Sequence, residues 1–416
     1  VLSNRNHTQG LPRGDIPRIK MNDKQEFAYC DILNFLLNKN KSAYVLSGVA
    51  GSGKTTLASA LIYFLESYLQ FSVAVISYTG RATSVLNNNL AEYSMYPMPM
   101  TCHRMLYNTT VENGKFVFNK IPPQQHREVF DIILVDESQM ISEELFNDIM
   151  DIGLPVIFIG DKEQLPPIVQ TDSENKEFNI MEAFDYHLSD IIRQENGSPI
   201  ISLSHNIIKT GHINMSGTND AVKFMKKSDV TIHNIQGLAD VILTGTNKMR
   251  TQFNNLMRAA KHITTQHAVE TETIMCVRNS CDLNGNYVAN GERFRVQSFS
   301  EIKNATIGGY GKKNKVIPYR EYLIEKADYK NVVWIVVNVP EECWENEHMR
   351  HEDFILNCPV PFCFFTFGYA MSVWKACGSE FDSVLFFDED VGYFVDRTRF
   401  RYTAVTRAKQ NLIVVR

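Results

Sequence analysis

Gly48-Val49-Ala50-Gly51-Ser52-Gly53-Lys54-Thr55 follows an apolar run, Ala43 to Ser47, and precedes a helix-forming stretch, Thr56 to Tyr68. Its spacing is G-x4-G-K-[ST], and its place between strand and helix is the one a phosphate cradle requires. Glycines let backbone N–H groups wrap phosphate oxygens at a helix N-terminus, a lysine neutralises the β- and γ-phosphates, and a hydroxyl ligates Mg²⁺. Lys54 and Thr55 take the last two roles; Gly51, Ser52, Gly53 and Thr56 complete the cradle. A strand that runs through such a loop into a helix also opens a parallel α/β sheet, so this stretch sets the fold.

The same rhythm continues outward. Val73 to Ser77, Ile132 to Val135 and Val156 to Ile159 are short apolar runs separated by helical stretches, and a second set occurs at Val241 to Thr244, Phe362 to Phe367, Val384 to Phe387 and Leu412 to Val415. A chain of 416 residues, 44% hydrophobic, has material for two such α/β cores. Two stretches interrupt them. Leu106 to Ile121 carries Asn113-Gly114 between Thr110-Val111-Glu112 and Lys115-Phe116-Val117-Phe118, which predicts a β-hairpin. Thr271 to Pro359 carries Asn284-Gly285, Asn290-Gly291 and Gly308-Gly309 between β-rich runs such as Phe294 to Val296 and Val332 to Val337, which predicts a small β-barrel.

Composition removes several classes. No apolar run reaches the roughly 18 to 20 residues that cross a bilayer, and Val1 to Lys20 is polar, so membrane and secreted readings lose their support and a cytoplasmic protein is expected. With 42 basic and 47 acidic residues the net charge is −5, so a nucleic-acid partner needs a local basic groove rather than a global field. The eight cysteines read as thiols of a reducing compartment. Cys276 and Cys281, with Cys358 and Cys363, form two C-x4-C pairs, but zinc knuckles are tighter and Cys363 sits in the apolar run Pro361 to Phe367. His348 and His351, among glutamates, read as a solvated loop.

Phosphoryl chemistry needs further groups. Ile132-Ile133-Leu134-Val135 ends in Asp136 and Glu137, where an acid that organises Mg²⁺ and a base that orients water belong. Asp136 takes the metal and Glu137 the water. Charge developing on the equatorial oxygens calls for arginines, and two stand in suitable contexts: Arg193 in Leu188 to Glu195 and Arg407 in Arg401 to Lys409. Either one alone reads equally as a surface salt-bridge partner.

Taken in order, these motifs resemble a superfamily 1 helicase, and more closely its Dda/RecD-like branch, superfamily 1B. Gly160-Asp161-Lys162-Glu163-Gln164-Leu165-Pro166-Pro167 is similar to the family's third motif, which makes Gln164 a γ-phosphate sensor. Asn22-Asp23-Lys24-Gln25 is similar to the adenine-reading motif, with Gln25 as the reader. Ser77 to Ala82 and Thr101-Cys102-His103 resemble motifs Ia and Ib, which implies single-strand contacts by Thr79, Arg81, Thr101 and His103. Tyr369 to Asp382 resembles motif V, implying nucleic-acid contacts by Ser372, Trp374 and Lys375 and a nucleotide contact by Glu380. This copy has Trp374 where histidine is usual and Cys377 where glutamine is; the tryptophan could stack on a base. Tyr402 to Lys409 resembles motif VI, with Arg407 as arginine finger, and Arg193 fits motif IV.

The resemblance implies two RecA-like cores, 1–105 plus 122–186 and 187–270 plus 360–416, with a hairpin at 106–121 and an SH3-like barrel at 271–359. It further implies an ATP- and Mg²⁺-dependent, monomeric helicase moving 5′ to 3′ on single-stranded DNA and opening forked duplex DNA with Phe116 and Phe118 on the hairpin. Replication or recombination proteins in a bacterial or phage-infected cell would be its partners. Lys312, Lys313 and Lys315 either line the DNA path or form a solvated face. A protein-displacing translocase, a binding module with a decayed ATPase, and RNA as the track stay open.

Overall fold

The computed structural model describes residues 21–416 except 39, 81, 84–85, 87–89, 91–98, 113–114, 168–177, 191–197, 215–219, 310–311, 328–331, 346–357, 359 and 393–394. Arg81, Arg193, His348 and His351 therefore lie outside the described residues. The chain divides into two compact units, one of residues 1–78, 82–108 and 119–196, the other of 79–81, 109–118 and 197–416.

The first unit is built on β1 (Ala43–Gly48), β2 (Val73–Ser77), β3 (Met100–Thr101), β6 (Ile132–Asp136), β7 (Val156–Gly160) and β8 (Tyr186–Leu188), in the order β3-β2-β6-β7-β1-β8. All pairings are parallel. Alternate residues of each strand enter different clusters: Tyr44, Leu46, Val75, Leu134 and Ile159 pack on one face, Val45, Ile76, Ile133, Val135 and Phe158 on the other. Both faces are thus covered, which is why these strands are apolar throughout rather than alternating. β4 (Tyr107–Glu112) and β5 (Lys115–Lys120) form a two-stranded sheet of their own, the expected hairpin.

The second unit holds a parallel sheet of β9 (Val222–Met225), β10 (Val241–Thr244), β19 (Ala370–Ser372), β20 (Phe381–Phe387) and β21 (Ala408–Val415), ordered β19-β10-β20-β21-β9. Between β10 and β19 the chain makes β11 (Thr273–Cys276), β12 (Ser280–Cys281), β13 (Tyr287–Val288), β14 (Arg293–Phe299), β15 (Lys303–Gly309), β16 (Lys312–Lys326), β17 (Trp334–Pro340) and β18 (Phe365–Phe367). Apart from the separate pair β12-β13, these join in one antiparallel sheet wrapped on the long β16, the expected barrel-like insert. Two α/β cores with these two inserts are the observed architecture.

Two details differ from the sequence reading. Phe365–Phe367 pairs antiparallel with β11, so this run belongs to the insert and not to the parallel sheet. An apolar run carries no mark of its partner, and only the pairing shows it. Also, β8 closes the first sheet, so the expected boundary after residue 186 cuts a strand. Insert and parallel sheet share one core, from Ile242 and Phe387 to Tyr322 and Val337. A buried ion pair, Arg258 Nε to Glu272 Oε1 at 2.9 Å, sits at their joint, with the Tyr369 hydroxyl on the same carboxylate at 3.2 Å.

Candidate active site

The glycine loop is shaped by contacts that exclude other residues. Gly51 and Gly53 have φ of +78° and +79°, the left-handed region that glycine enters without strain. A Cβ on Gly48 would lie 2.6 Å from Ser52 Oγ and 3.0 Å from Leu188 Cβ. The helix Lys54–Ser67 starts directly after Gly53 with no side-chain cap, which leaves first-turn amides for an anion. Ser52 Oγ is buried without a hydrogen-bond partner. Lys54 Nζ folds back on the carbonyls of Gly48 (2.7 Å) and Val49 (3.1 Å). An orphan hydroxyl, uncapped amides and a lysine satisfied only by backbone together fit a bound phosphate chain.

Gln25 is buried, not solvent-facing, and its amide is spent within the unit. Its Oε1 accepts the Asn22 N–H at 3.0 Å, while Asn22 Oδ1 accepts the Gln25 N–H at 2.9 Å, a reciprocal cap on the helix Asp23–Asn38. Its Nε2 donates to Gly53 O at 3.1 Å and Ser52 O at 3.4 Å. The expected adenine reader also braces the phosphate loop.

β6 brings Asp136 and Glu137 to the same end of the sheet. Burial, and then the charge of Glu137, push the Asp136 carboxyl up to about 7, against the Glu137 N–H and Lys54, which pull it down. A half-buried acid held so high is a site that a divalent cation would relieve, and Thr55 and Asp136 are the residues that would hold it. Glu137 has φ of +52°, an unusual value for a side chain that must stand up from a strand tip.

Beyond it an amide network carries the site into the third motif. Gln139 Nε2 donates to the Glu137 carboxylate and to Gln164 Oε1 (3.4 Å), Gln164 Nε2 donates to Asp161 Oδ2 (3.1 Å), and the Asp161 N–H donates to Gln139 Oε1 (3.2 Å). Gln139, Gln164 and Asp161 are all buried. A Cβ on Gly160 would lie 2.7 Å from Gln139 Oε1, so that glycine makes room for the network.

Sequence reasoning gave Gln139 no role, because only the fold brings it between two motifs. It also missed His187. β8 sets His187 opposite Ser47, and its Nδ1 lies 3.1 Å from the buried Ser47 Oγ. Burial, Lys162 and Lys54 lower its imidazole, against Asp161, which raises it.

The strand-contact residues fall in two groups. In the first unit Thr101 is buried and caps the helix Cys102–Leu106, accepting the Arg104 N–H at 3.3 Å. His103 is exposed, its ring 6.2 Å from Tyr78 and 5.9 Å from Tyr107. Thr79, which is grouped with the second unit, is half-buried. In the second unit Ser372 Oγ accepts the Lys375 N–H at 3.4 Å, and Lys375 and Glu380 are half-buried. Trp374 is half-buried, and its ring packs on buried Phe400 at 5.6 Å. Arg407 is buried and donates to Thr403 O (3.0 Å), Ser379 O (3.2 Å) and Thr406 Oγ1 (3.1 Å), a tethered guanidinium rather than an extended finger. Phe118 is 60% exposed on β5, and Phe116 lies on the same strand. Among the described residues no group of three or more His, Cys, Asp or Glu is placed to hold a metal, and no helix is long and apolar enough to cross a membrane.

Two parallel-sheet cores, the first with a phosphate loop and paired acids at its strand ends, define a motor of the P-loop helicase class. The family model described as an AAA domain matches residues 20–235, and that of the UvrD-like helicase C-terminal domain matches residues 367–415. The chain belongs to this AAA-domain family and is a superfamily 1B helicase by that membership. It is similar to the RecBCD enzyme subunit RecD of Buchnera aphidicola subsp. Schizaphis graminum, 21% identical over 88% of this chain and 69% of that protein. The fold is shared with the Pif1 helicase of Candida albicans (TM-score 0.55, 18% identity, 95% and 94% of the two chains). It is shared likewise with Bacteroides Pif1 in complex with ADP-AlF3 and ssDNA (TM-score 0.52, 15% identity, 93% and 91%). The chain spans between 12% and 69% of the length of the curated relatives it matches.

Proposed function

We propose that this chain is an ATP-dependent DNA helicase that moves 5′ to 3′ on single-stranded DNA and opens duplex DNA at a fork. The observation that carries the reading is the unbroken line in the first unit from the phosphate loop through Asp136 and Glu137 to Gln139 and Gln164. Lys54 leaves the Gly48 and Val49 carbonyls for the β- and γ-phosphates, and the loop amides hold the rest of the chain. Thr55 and Asp136 hold Mg²⁺, which supplies charge neutralisation at the phosphates. Glu137 orients the attacking water, Gln164 contacts the γ-phosphate, and Gln139 ties the two together. Arg193 and Arg407 supply positive charge to the equatorial oxygens.

Single-stranded DNA, the ligand in the Bacteroides Pif1 complex, is the proposed track. Thr79, Arg81, Thr101, His103, Ser372 and Lys375 hold the strand, and Phe118 meets the terminal base pair. The protein acts as a monomer in the cytoplasm, with replication or recombination proteins as partners. ATP hydrolysis in Mg²⁺, with and without single-stranded DNA and at two salt concentrations, tests the motor; forks with a 5′ or a 3′ tail test direction. Strong DNA stimulation and unwinding of the 5′-tailed fork alone are the expected results. Lys54→Ala should abolish turnover and keep strand binding; equal hydrolysis by variant and parent would exclude the assigned site.

A further inference from the structure

The roots of both hairpin strands, Tyr107 and Lys120, meet at one shared carboxylate, Asp148. β4 begins at Tyr107 and β5 ends at Lys120, and both reach Asp148 on the helix Glu143–Met150. The Tyr107 hydroxyl donates to Asp148 Oδ2, and Lys120 Nζ donates to Asp148 Oδ1 at 2.6 Å and to Asp151 Oδ2 at 2.9 Å. Just below, the Ile121 N–H donates to Leu106 O at 2.8 Å and closes the neck. The helix that presents Asp148 is itself fixed: Leu145 and Ile149 are buried in the core, and Ser142 caps its first turn.

Asp148 is 19% exposed at its side chain, so these contacts work in a partly dry setting. Burial opposes its charge, yet Lys120 and Tyr107 outweigh burial and hold the carboxyl below its ordinary value. A two-stranded hairpin is marginal in water without outside support, and among the described residues β4 and β5 pair with no other strand. The Asp148 contacts are such support, and they take hold of both strands at once.

We infer that Asp148 is a positioning residue for strand separation: by gripping Tyr107 and Lys120 it fixes the roots of both hairpin strands against each other. It touches neither nucleotide nor DNA in this role, and the inference rests on the helicase reading above. A hairpin held by one root strand would swing under the load of a closing base pair, and ATP would be spent without opening it.

The test uses the full chain and three readouts: ATP hydrolysis on single-stranded DNA, translocation rate, and base pairs opened per ATP on a 5′-tailed fork. Asp148→Asn keeps the shape and removes the charge. It should leave hydrolysis and translocation within about twofold and lower base pairs per ATP roughly tenfold, with a smaller loss for Lys120→Met or Tyr107→Phe and partial rescue by Asp148→Glu. Parent-level unwinding by Asp148→Asn overturns the inference, as does an equal fall in all three readouts. Should Asp148→Asn not fold, Lys120→Met at the half-exposed end of the clamp is judged on the same terms. A parent chain that hydrolyses ATP on DNA but opens no fork removes the helicase reading itself, an outcome distinguishable because it involves no variant.

Discussion

The Gln139 side-chain nitrogen stands 3.4 Å from Gln164 Oε1 and also donates to the Glu137 carboxylate, so one buried amide joins the water-orienting acid to the third motif. Its oxygen is taken by the Asp161 N–H, which leaves it no freedom to turn. Gln139→Ala would remove hydrogen bonds to buried Gln164 and Asp161, each worth about 1 to 3 kcal/mol, and one to half-buried Glu137. The expected result is a fall in kcat of roughly tenfold to a hundredfold with the KM for ATP changed by less than about threefold. Steady-state hydrolysis on saturating DNA measures it; an unchanged kcat would remove Gln139 from the mechanism.

How far the sequence reached depends on the kind of signal. Gly48 to Thr55 declared itself because backbone geometry demands glycine at Gly51 and Gly53, and because strand, loop and helix are contiguous. The hairpin was legible for the same local reason, Asn113-Gly114 between β-rich flanks. Gln139 and His187 were not, since their meaning lies in pairings across the sheet: Gln139 with Asp161 and Gln164, His187 with Ser47. Gln25 was found as a motif residue, but a helix position does not reveal that its side chain turns inward to cap the helix and brace Gly53. At Trp374 the departure from the motif suggested a contact with DNA, and no sign in the sequence showed that the ring also packs on Phe400.

Trp374 therefore yields a prediction about stability. Its ring lies 5.6 Å from that of Phe400, which in turn packs on Phe386 at 5.5 Å. Trp374→Ala should lower the stability of the second unit by about 2 kcal/mol, the scale of a half-buried aromatic lost from a core edge. Affinity for single-stranded DNA should change by less than about twofold, whereas a lost base stack would cost about 1 to 3 kcal/mol of binding. Thermal melting and fluorescence anisotropy with a short oligonucleotide separate the two: an unshifted Tm with weakened binding would restore the stacking role.

His187 yields a pH dependence. Burial, Lys162 and Lys54 hold its imidazole below the ordinary value, so it is neutral in the free protein at pH 7. Because the folded value is depressed, folding loses stability as pH falls through the unfolded value of about 6.5. A triphosphate on Lys54 reverses the local sign: the added negative charge favours the imidazolium, so nucleotide affinity should rise as pH falls from about 7.5 to 6. His187→Asn should flatten that rise. Calorimetric titration with a non-hydrolysable ATP analogue across this range measures it, and parallel profiles for variant and parent would refute it.

Arg407 sets two requirements against each other. A finger must reach the γ-phosphate, yet its guanidinium is buried and shared among Thr403 O, Ser379 O and Thr406 Oγ1. Two of these acceptors are backbone carbonyls of the second unit, so Arg407 also helps hold Ser379, next to Glu380, in place. Arg407→Ala should consequently show two deficits: about 1 to 3 kcal/mol less stability, from the hydrogen bonds of a buried guanidinium lost in the core, and a loss of turnover of at least roughly a hundredfold. Arg407→Lys keeps the charge but cannot serve three acceptors from one fork, so it should recover stability only in part and turnover hardly at all. Chemical unfolding and single-turnover hydrolysis measure the two deficits independently. A variant that loses stability while single-turnover hydrolysis stays at the parent rate would leave Arg407 a structural clamp, and the task of charge stabilisation would pass to another residue.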